Sequence, residues 1–572
     1  MGTLPSPGSR VVRFGVYEAD LRAGELRKQG LRLRLPEQPF QLLAILLEHS
    51  GQVVTREELQ KRLWPDGTFV DFEQGLNAAV KRLREVLGDS AESPRFIETL
   101  ARRGYRFIES LTASPGRIES LAVLPLENLS RDPEQEYFAE GMTEALINSL
   151  AKIGALRVVS RTTAMHYKGV HRPLRELAQE LHVDGIVEGT VQRSGERLRI
   201  SAQLLHAPTD THLWAESYDR DLRDVLALQS EVAQAIAREI RIKLTPVDQA
   251  RFAEARPVDP EAYEAYLKGR YYWNRRPGVR KGIEYFEQAI AKDPTYAAAY
   301  AGLADCLSAL SAWGVVPANE GCVKAKVLAE KALKLDPSSG EAHSSLALAA
   351  MYDFDFLTAQ REFERSLELS PRYATGHHLF GFYLGAMGRY EEAYTELQRA
   401  IRLDPLLGLT NAFLGYIYLY ARRYDQAIEQ FMKTLELDPD SAFAHGGLGW
   451  AYRCKSLHEP AVAAARKAVE LWHGPSPVSW LGEAYAAAGR RGEAHKILEQ
   501  LHELSKQRYV TPYGVARIYA ALGQKEDALH WLETAYRQRA EWMVLLKVDP
   551  CLDDLRPYPR FVDLMRRMNF PA

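Results

Sequence analysis

Three phrases decide how the front of the chain folds. They are Thr55-Arg56-Glu57-Glu58, then Leu76-Asn77-Ala78-Ala79-Val80-Lys81-Arg82-Leu83-Arg84, then Phe96-Ile97-Glu98-Thr99-Leu100-Ala101-Arg102-Arg103-Gly104-Tyr105-Arg106-Phe107. The first is a capping box, in which Thr55 accepts the Glu58 amide and Glu58 reaches back to Thr55. It opens a short helix carrying Leu59 and Leu63, closed by the breakers of Trp64-Pro65-Asp66-Gly67. A second helix starts near Glu73, with Leu76, Val80, Leu83 and Leu87 on one apolar stripe and Gly88 at its end. At about 100° per residue, Gln74, Ala78, Lys81 and Arg82 point away from that stripe, with Asn77 and Arg84 on its flanks. The third phrase predicts two strands joined by a turn bearing two arginines.

A helix with one buried face and a basic, amide-bearing outer face suits the DNA major groove. A hairpin tip with arginines suits the neighbouring minor groove or the phosphates. A basic amphipathic helix taken alone is as readily a solvated surface helix, so the case rests on the three phrases together. With the strands around Phe14 and Leu33-Arg34-Leu35, the helix Pro39-Phe40-Gln41-Leu42-Leu43-Ala44-Ile45-Leu46 and Leu87-Gly88-Asp89, residues 10–109 resemble a known family. It is the winged-helix effector domain of the OmpR/PhoB type, including its membrane-anchored CadC-like relatives. The resemblance implies that 73–87 is the recognition helix and 95–108 the wing. Asn77, Lys81 and Arg82 are then the base-reading candidates and Arg84 a phosphate contact. Arg102 and Arg103 would engage the minor groove or backbone. Ala101 departs from the arginine or proline more usual at that tip.

A chain of 572 residues exceeds one core and implies several domains. Its net charge of −2 excludes a polyelectrolyte-seeking protein as a whole. Residues 1–110 carry 17 Lys+Arg against 15 Asp+Glu, so position matters more than total. Cys306, Cys322, Cys454 and Cys551 lack metal-type spacing and read as free thiols of a reducing cytoplasm. No stretch approaches the roughly 18 apolar residues of a membrane span, which sets the chain apart from the CadC-like relatives.

Thr112-Ala113-Ser114-Pro115-Gly116 reads as a linker. Residues 118–246 then predict a small α/β domain. Leu121-Ala122-Val123-Leu124-Pro125 and Leu156-Arg157-Val158-Val159 are strands, a helix starts at Asp132-Pro133, and a hairpin turns at Ser194-Gly195. A helix over 224–244 ends the unit. By Ala122-Val123-Leu124-Pro125, Phe138-Ala139-Glu140-Gly141-Met142 and Trp214-Ala215-Glu216 it resembles the TolB-N-terminal/FlgO-like domain. Gly141 and Asp184-Gly185 have the positions of a ligand-lined loop, but ordinary turn glycines explain them more simply.

From residue 259 to 572 the chain becomes an array. Pro337, Pro371, Pro405 and Pro439 recur every 34 residues, the period of a helix-turn-helix repeat. Gly381, Gly415 and Gly449 fall where helices approach closely, and Phe363, Leu397 and Phe431 fill the space between. The array resembles a tetratricopeptide-repeat solenoid, with the segment from Ala540 as its cap. That resemblance places Tyr352, Phe382, Tyr416, Tyr420, Phe443 and Trp450 on a concave groove for a peptide or protein partner, about half of them facing a ligand.

Phosphate-loop, nucleophile-elbow, zincin and C-x-x-C motifs are all missing. His377-His378 are adjacent on a helix and diverge. No catalytic, metal or cofactor site is expected. The fold class is multidomain: a winged helix-turn-helix (α+β) at 10–110, an α/β domain at 118–246 and an all-α solenoid at 259–572. The expectation is a cytoplasmic transcriptional regulator that binds double-stranded DNA as a dimer or tandem. Its repeats would bind a protein or a signal, and no membrane is involved. The competing reading is a scaffold whose winged helix and repeats make protein contacts only. The domain order also resembles winged-helix virulence regulators of the HilA type.

Overall fold

The computed structural model describes residues 11–28, 31–64, 72–109, 112–113, 118–130, 132, 135–151, 153–154, 156–170, 172–240, 258–275 and 278–571. The breakers at 65–67, most of the 112–116 linker, Pro133 and the helix end expected at 244 lie outside the described residues. Two compact units emerge, Met1–Ile118 with His206–Thr211, and the rest.

In the first unit, β1 (Val11–Phe14), β2 (Tyr17–Asp20), β3 (Glu25–Lys28) and β4 (Leu31–Leu33) form an antiparallel sheet. Then follow α1 (Glu37–Glu48), β5 (Val53–Thr55), α2 (Arg56–Leu63), α3 (Phe72–Leu87), β6 (Ile97–Leu100) and β7 (Gly104–Phe107). The sheet β5-β7-β6 carries the hairpin, and β8 (Thr112–Ala113) returns to pair with β1. Thr55 accepts the Glu58 amide at 3.2 Å, as its capping role requires, whereas the Glu58 carboxylate lies 3.7 Å from His49.

The expected stripe of Leu76, Val80, Leu83 and Leu87 is buried against α1 and an aromatic cluster in which Phe14 meets Phe96 and Phe107 edge-on. Burying each such side chain is worth roughly 1.5–3 kcal/mol, so the stripe decides which face of α3 turns outward. The Tyr17 hydroxyl donates to the Leu87 carbonyl at 2.8 Å, fixing the far end of α3 to the first sheet. Gly88 then leaves the helix at φ +63°, a left-handed exit open to glycine.

The second unit begins with β9 (Ser120–Val123), β10 (Glu127–Asn128), α4 (Glu136–Ala151), β11 (Arg157–Val158), α5 (Arg161–His166) and α6 (Leu174–Leu181). It continues with β12 (Gly185–Ser194), β13 (Arg197–His206), β14 (Thr211–Asp221) and α7 (Val225–Glu239). The sheet order is β11-β9-β12-β13-β14, its first three strands parallel. Leu198, Ile200, Ala202 and Leu204 are buried while Arg197 and Arg199 are exposed, as alternation requires. The Asp184 carboxylate accepts the Glu119 and Ser120 amides at 3.0 Å, so it holds the start of β9. A Cβ on Gly141 would stand 2.6 Å from Leu267, so that glycine lets α4 pack on the first repeat helix. Both residues thus have backbone and packing roles.

Eight helix pairs follow among the described residues, from Pro260–Trp273 with Val279–Lys292 to Pro512–Ala521 with Lys525–Arg537. The 34-residue period sets their contacts: Phe363, Leu397 and Phe431 are fully buried, and a Cβ on Gly415 would lie 2.6 Å from the Phe431 ring. An ionic seam joins α4 to the first pair. Arg270 binds Glu144 and Arg275 binds Glu140 at 2.8 Å, while Tyr137 donates to Glu264 at 2.8 Å.

The segment after Arg537 does more than cap the array. Its short helical turns Glu541–Leu545 and Pro550–Leu555 and helix Pro559–Met568 run back along the first helices of the repeats. Trp542 packs on Trp450, Tyr513 donates to Asp549 at 2.8 Å, and Phe570 stacks on Phe356 at 4.9 Å. Arg422 donates to the Val548 carbonyl and to Asp553, both at 2.8 Å. Those bonds span more than a hundred residues of sequence and close the array on itself.

Candidate nucleic-acid interface

The outward face of α3 carries Gln74, Asn77, Ala78, Lys81, Arg82 and Glu85, all exposed. A chain of hydrogen bonds built from α2, α3 and β7 orients Asn77. Glu73 holds Arg56 at 2.5 Å, Arg56 donates to the Tyr105 hydroxyl at 3.2 Å, and Tyr105 donates to Asn77 Oδ1 at 3.1 Å. The Tyr105 ring is buried, and burial raises its hydroxyl above the ordinary pKa, so it stays a donor. With Oδ1 engaged, the NH2 of the exposed Asn77 makes no hydrogen bond to another described residue. That geometry suits donation to an acceptor on a base edge.

Arg82 is exposed and pairs with Glu85 at 2.9 Å, one turn along the same helix. Such a pair is worth little in water, so a phosphate or guanine edge can take the guanidinium away. Lys81, between them, has no ion pair among the described residues and projects from the same face.

Arg84 behaves differently from the phosphate contact expected of it. Its Nη2 donates to the Ile97 carbonyl at 2.7 Å and to Thr99 Oγ1 at 2.9 Å, and the side chain is half-buried. The guanidinium is occupied in fastening α3 to β6. It sets the angle between helix and wing, which helical periodicity alone did not reveal.

The wing turn Ala101-Arg102-Arg103 is exposed, and Arg102 adopts φ +60°. Below it, Gly104 is obligatory, because a Cβ there would sit 2.0 Å from the Val54 carbonyl oxygen. The close β5–β7 approach holds the tip in place, and Arg106 pairs with Glu98 at 2.5 Å across the hairpin. Among the described residues Arg102 and Arg103 make no ion pair. Two free cations are thus presented on a rigid base.

The partner groove is another matter. Tyr352, Phe382, Tyr416, Tyr420, Phe443 and Trp450 line the first helices as expected, yet each is at most 6% exposed. Trp542 and the returning segment cover part of this row, and neighbouring rings cover the remainder: Phe382 meets Phe413, and Phe443 meets Trp472 and Trp480. Against the expectation that about half would face a ligand, only low exposure remains to any of them, although Tyr352 lines an open cavity of about 330 Å³ with Cys322, Lys326 and Arg539. Likewise both His377 ring nitrogens are engaged, by Glu396 at 2.5 Å and the Pro371 carbonyl at 3.0 Å.

Three parts of the chain match known families. Residues 30–107 match the family described as transcriptional regulatory protein, C terminal. The first domain is a regulator-type winged helix. Residues 117–235 match the second domain of HilA/YgeH-like transcriptional regulators, and 374–405 and 414–475 match tetratricopeptide repeats. A putative adenylate cyclase 3 of Rhizobium meliloti is 38% identical over 236 residues, 40% of each chain. The transcriptional regulator HilA of Salmonella typhimurium is 24% identical over 380 residues, 65% of this chain and 66% of that one. The matches thus span less than two thirds of either relative. The solved response regulator DrrB of Thermotoga maritima, an OmpR/PhoB homologue, is 32% identical over 17% of this chain and 44% of its own, with a TM-score of 0.16. No helix of the described residues is long and apolar enough to cross a membrane.

Proposed function

We propose that this protein is a sequence-specific, DNA-binding transcriptional regulator acting in the cytoplasm. The observation that carries the reading is the outward face of α3, where a fixed amide (Asn77) stands beside two cations (Lys81, Arg82), next to a wing tip with two arginines that have no ion pair among the described residues. Asn77, Lys81 and Arg82 read base edges, Arg102 and Arg103 hold phosphates or the minor groove, and Arg84 positions the helix against the wing. Two copies on repeated half-sites would give the operator its length. The α/β domain and the repeats receive a signal or recruit a protein partner, and no catalytic step is assigned to them. The cyclase name of one relative belongs to a protein matched over only 40% of its length.

The test is selection of bound fragments from random duplex DNA by the full chain. A recurring site is expected, and a Lys81→Ala/Arg82→Ala pair should lose that preference while still folding. Recovery of no sequence preference, at low salt and high protein concentration, would leave the scaffold reading in its place.

A further inference from the structure

The cavity that Tyr352 lines has a volume of about 330 Å³, inside the range of roughly 300–1,000 Å³ in which proteins hold small molecules. One wall is the second helix of the second pair, Ala318–Leu335, which contributes Val323, Lys326, Val327 and Glu330. The other is the end of the helix Gly340–Tyr352, with Asp353 just beyond it. Arg539 completes the lining from the turn that leads into the returning segment.

The apolar part of this lining is uncovered. Val323 is 50% exposed and Val327 61%. A single exposed valine is ordinary. These two are the one pair of large exposed apolar side chains four positions apart on a helix among the described residues, and both line the same cavity.

At Asp353 the lining turns polar, and there donors outnumber acceptors. Arg539 Nη1 lies 3.0 Å from Asp353 Oδ1 and donates to the Asp353 carbonyl, while Lys326 Nζ lies 3.5 Å from Oδ2. Both carboxylate oxygens are therefore engaged. The Arg539 guanidinium is held over the Phe354 ring at 5.1 Å, which fixes its place. Neither cation has a further hydrogen-bond or ion-pair partner among the described residues. An ammonium carries three N–H groups and a guanidinium five, so donors are left over. Tyr352 adds another: it is 4% exposed, and its hydroxyl makes no hydrogen bond to a described residue. Glu330 is exposed one turn along from Lys326 and would repel a second negative charge, so the matching ligand carries one.

We infer that this cavity binds a small amphipathic monocarboxylate, whose apolar body covers Val323 and Val327 and whose carboxylate accepts hydrogen bonds from Lys326, Arg539 and Tyr352. Arg539 belongs to the turn between the last helix pair and the returning segment, so the bound carboxylate fastens that turn to the second and third pairs. The inference concerns ligand binding by the array and stands whether or not the winged helix reads DNA.

The experiment is calorimetric titration of the full chain, without DNA, by octanoate, octylammonium and 1-octanol, which share one chain length and differ in the head. Octanoate should saturate a single site, 1-octanol should bind about tenfold more weakly for want of charge-assisted hydrogen bonds, and octylammonium should give no binding heat. Lys326→Gln should weaken octanoate by about tenfold. Val327→Asp, at an exposed position that folding does not need, should abolish its binding. A diazirine analogue of octanoate, photolysed on the wild-type chain, should label peptides within 318–330 or 349–353 and be competed away by octanoate. No saturable octanoate binding, equal binding of the alcohol, binding of the ammonium, or labelling confined to other peptides would overturn the inference. Since the photolabel map uses the wild-type chain, misfolding of a variant leaves the outcome decided.

Discussion

Replacing Arg102 and Arg103 together by glutamine isolates the charge of the wing. Arg102 sits at φ +60°, and glutamine carries the same left-handed penalty as arginine, so the folded state changes little. Both side chains are exposed and neither is in an ion pair among the described residues, so no buried partner is orphaned. Each phosphate neutralised contributes about 0.9 to the slope of log affinity against log salt. Two contacts account for a slope of about 1.8, which over a rise from about 50 to 200 mM salt is roughly a 12-fold loss. The double variant should therefore bind duplex DNA more weakly than the wild type at low salt, and the two curves should converge as salt rises. Fluorescence anisotropy of a labelled duplex against the full chain, at four or more salt concentrations, gives both slopes. Parallel lines, with affinity lowered equally everywhere, would refute the reasoning, because they would mean the wing acts through shape or folding and not by displacing counterions.

Three further outcomes follow from the same geometry. Glu85→Gln frees Arg82 from its 2.9 Å partner and removes a negative charge from the DNA face; binding at low salt should tighten a few-fold, and unchanged or weaker affinity in the anisotropy assay would count against a DNA-facing Arg82. Gly104→Ala forces a Cβ to 2.0 Å from the Val54 carbonyl and should cost the winged helix roughly 2–4 kcal/mol, seen as a lowered first transition in calorimetry; an unshifted scan would show that β5 and β7 yield. Glu541 is buried, and burial raises its carboxyl to about 7. In the unfolded chain the same group ionises near 4.5, so its stability contribution is full below that pH and declines as pH rises towards 7. Glu541→Gln should leave melting at pH 5 nearly unchanged and raise it at pH 8, and equal shifts at both values would exclude the buried-acid account.

What sequence could and could not disclose divides by range. The α3 stripe, the Gly88 exit, the hairpin and the 34-residue beat are local signals, in which residues three to thirty-four positions apart answer to one helix or one repeat. They located the winged helix and the inner row of rings on the solenoid. The use of Arg84 was hidden because its partners, the Ile97 carbonyl and Thr99, lie in another element. Tyr105 was missed as an orienter of Asn77 for a similar reason, although a tyrosine directly after the wing glycine was a visible hint. The covering of the groove was hidden more deeply. Phrases such as Val548-Asp549-Pro550 have no periodicity, and nothing near Arg422 in sequence announces Asp553.

The returning segment also has a consequence for how the molecule is made. Translation finishes every repeat before the residues from Glu541 onward emerge, so until then the face of Trp450 that meets Trp542 stays wet. Chaperone demand should peak at that late stage. Expression fragments trimmed at the last regular repeat, just beyond Arg537, should precipitate or self-associate, however tidy their helical boundaries look.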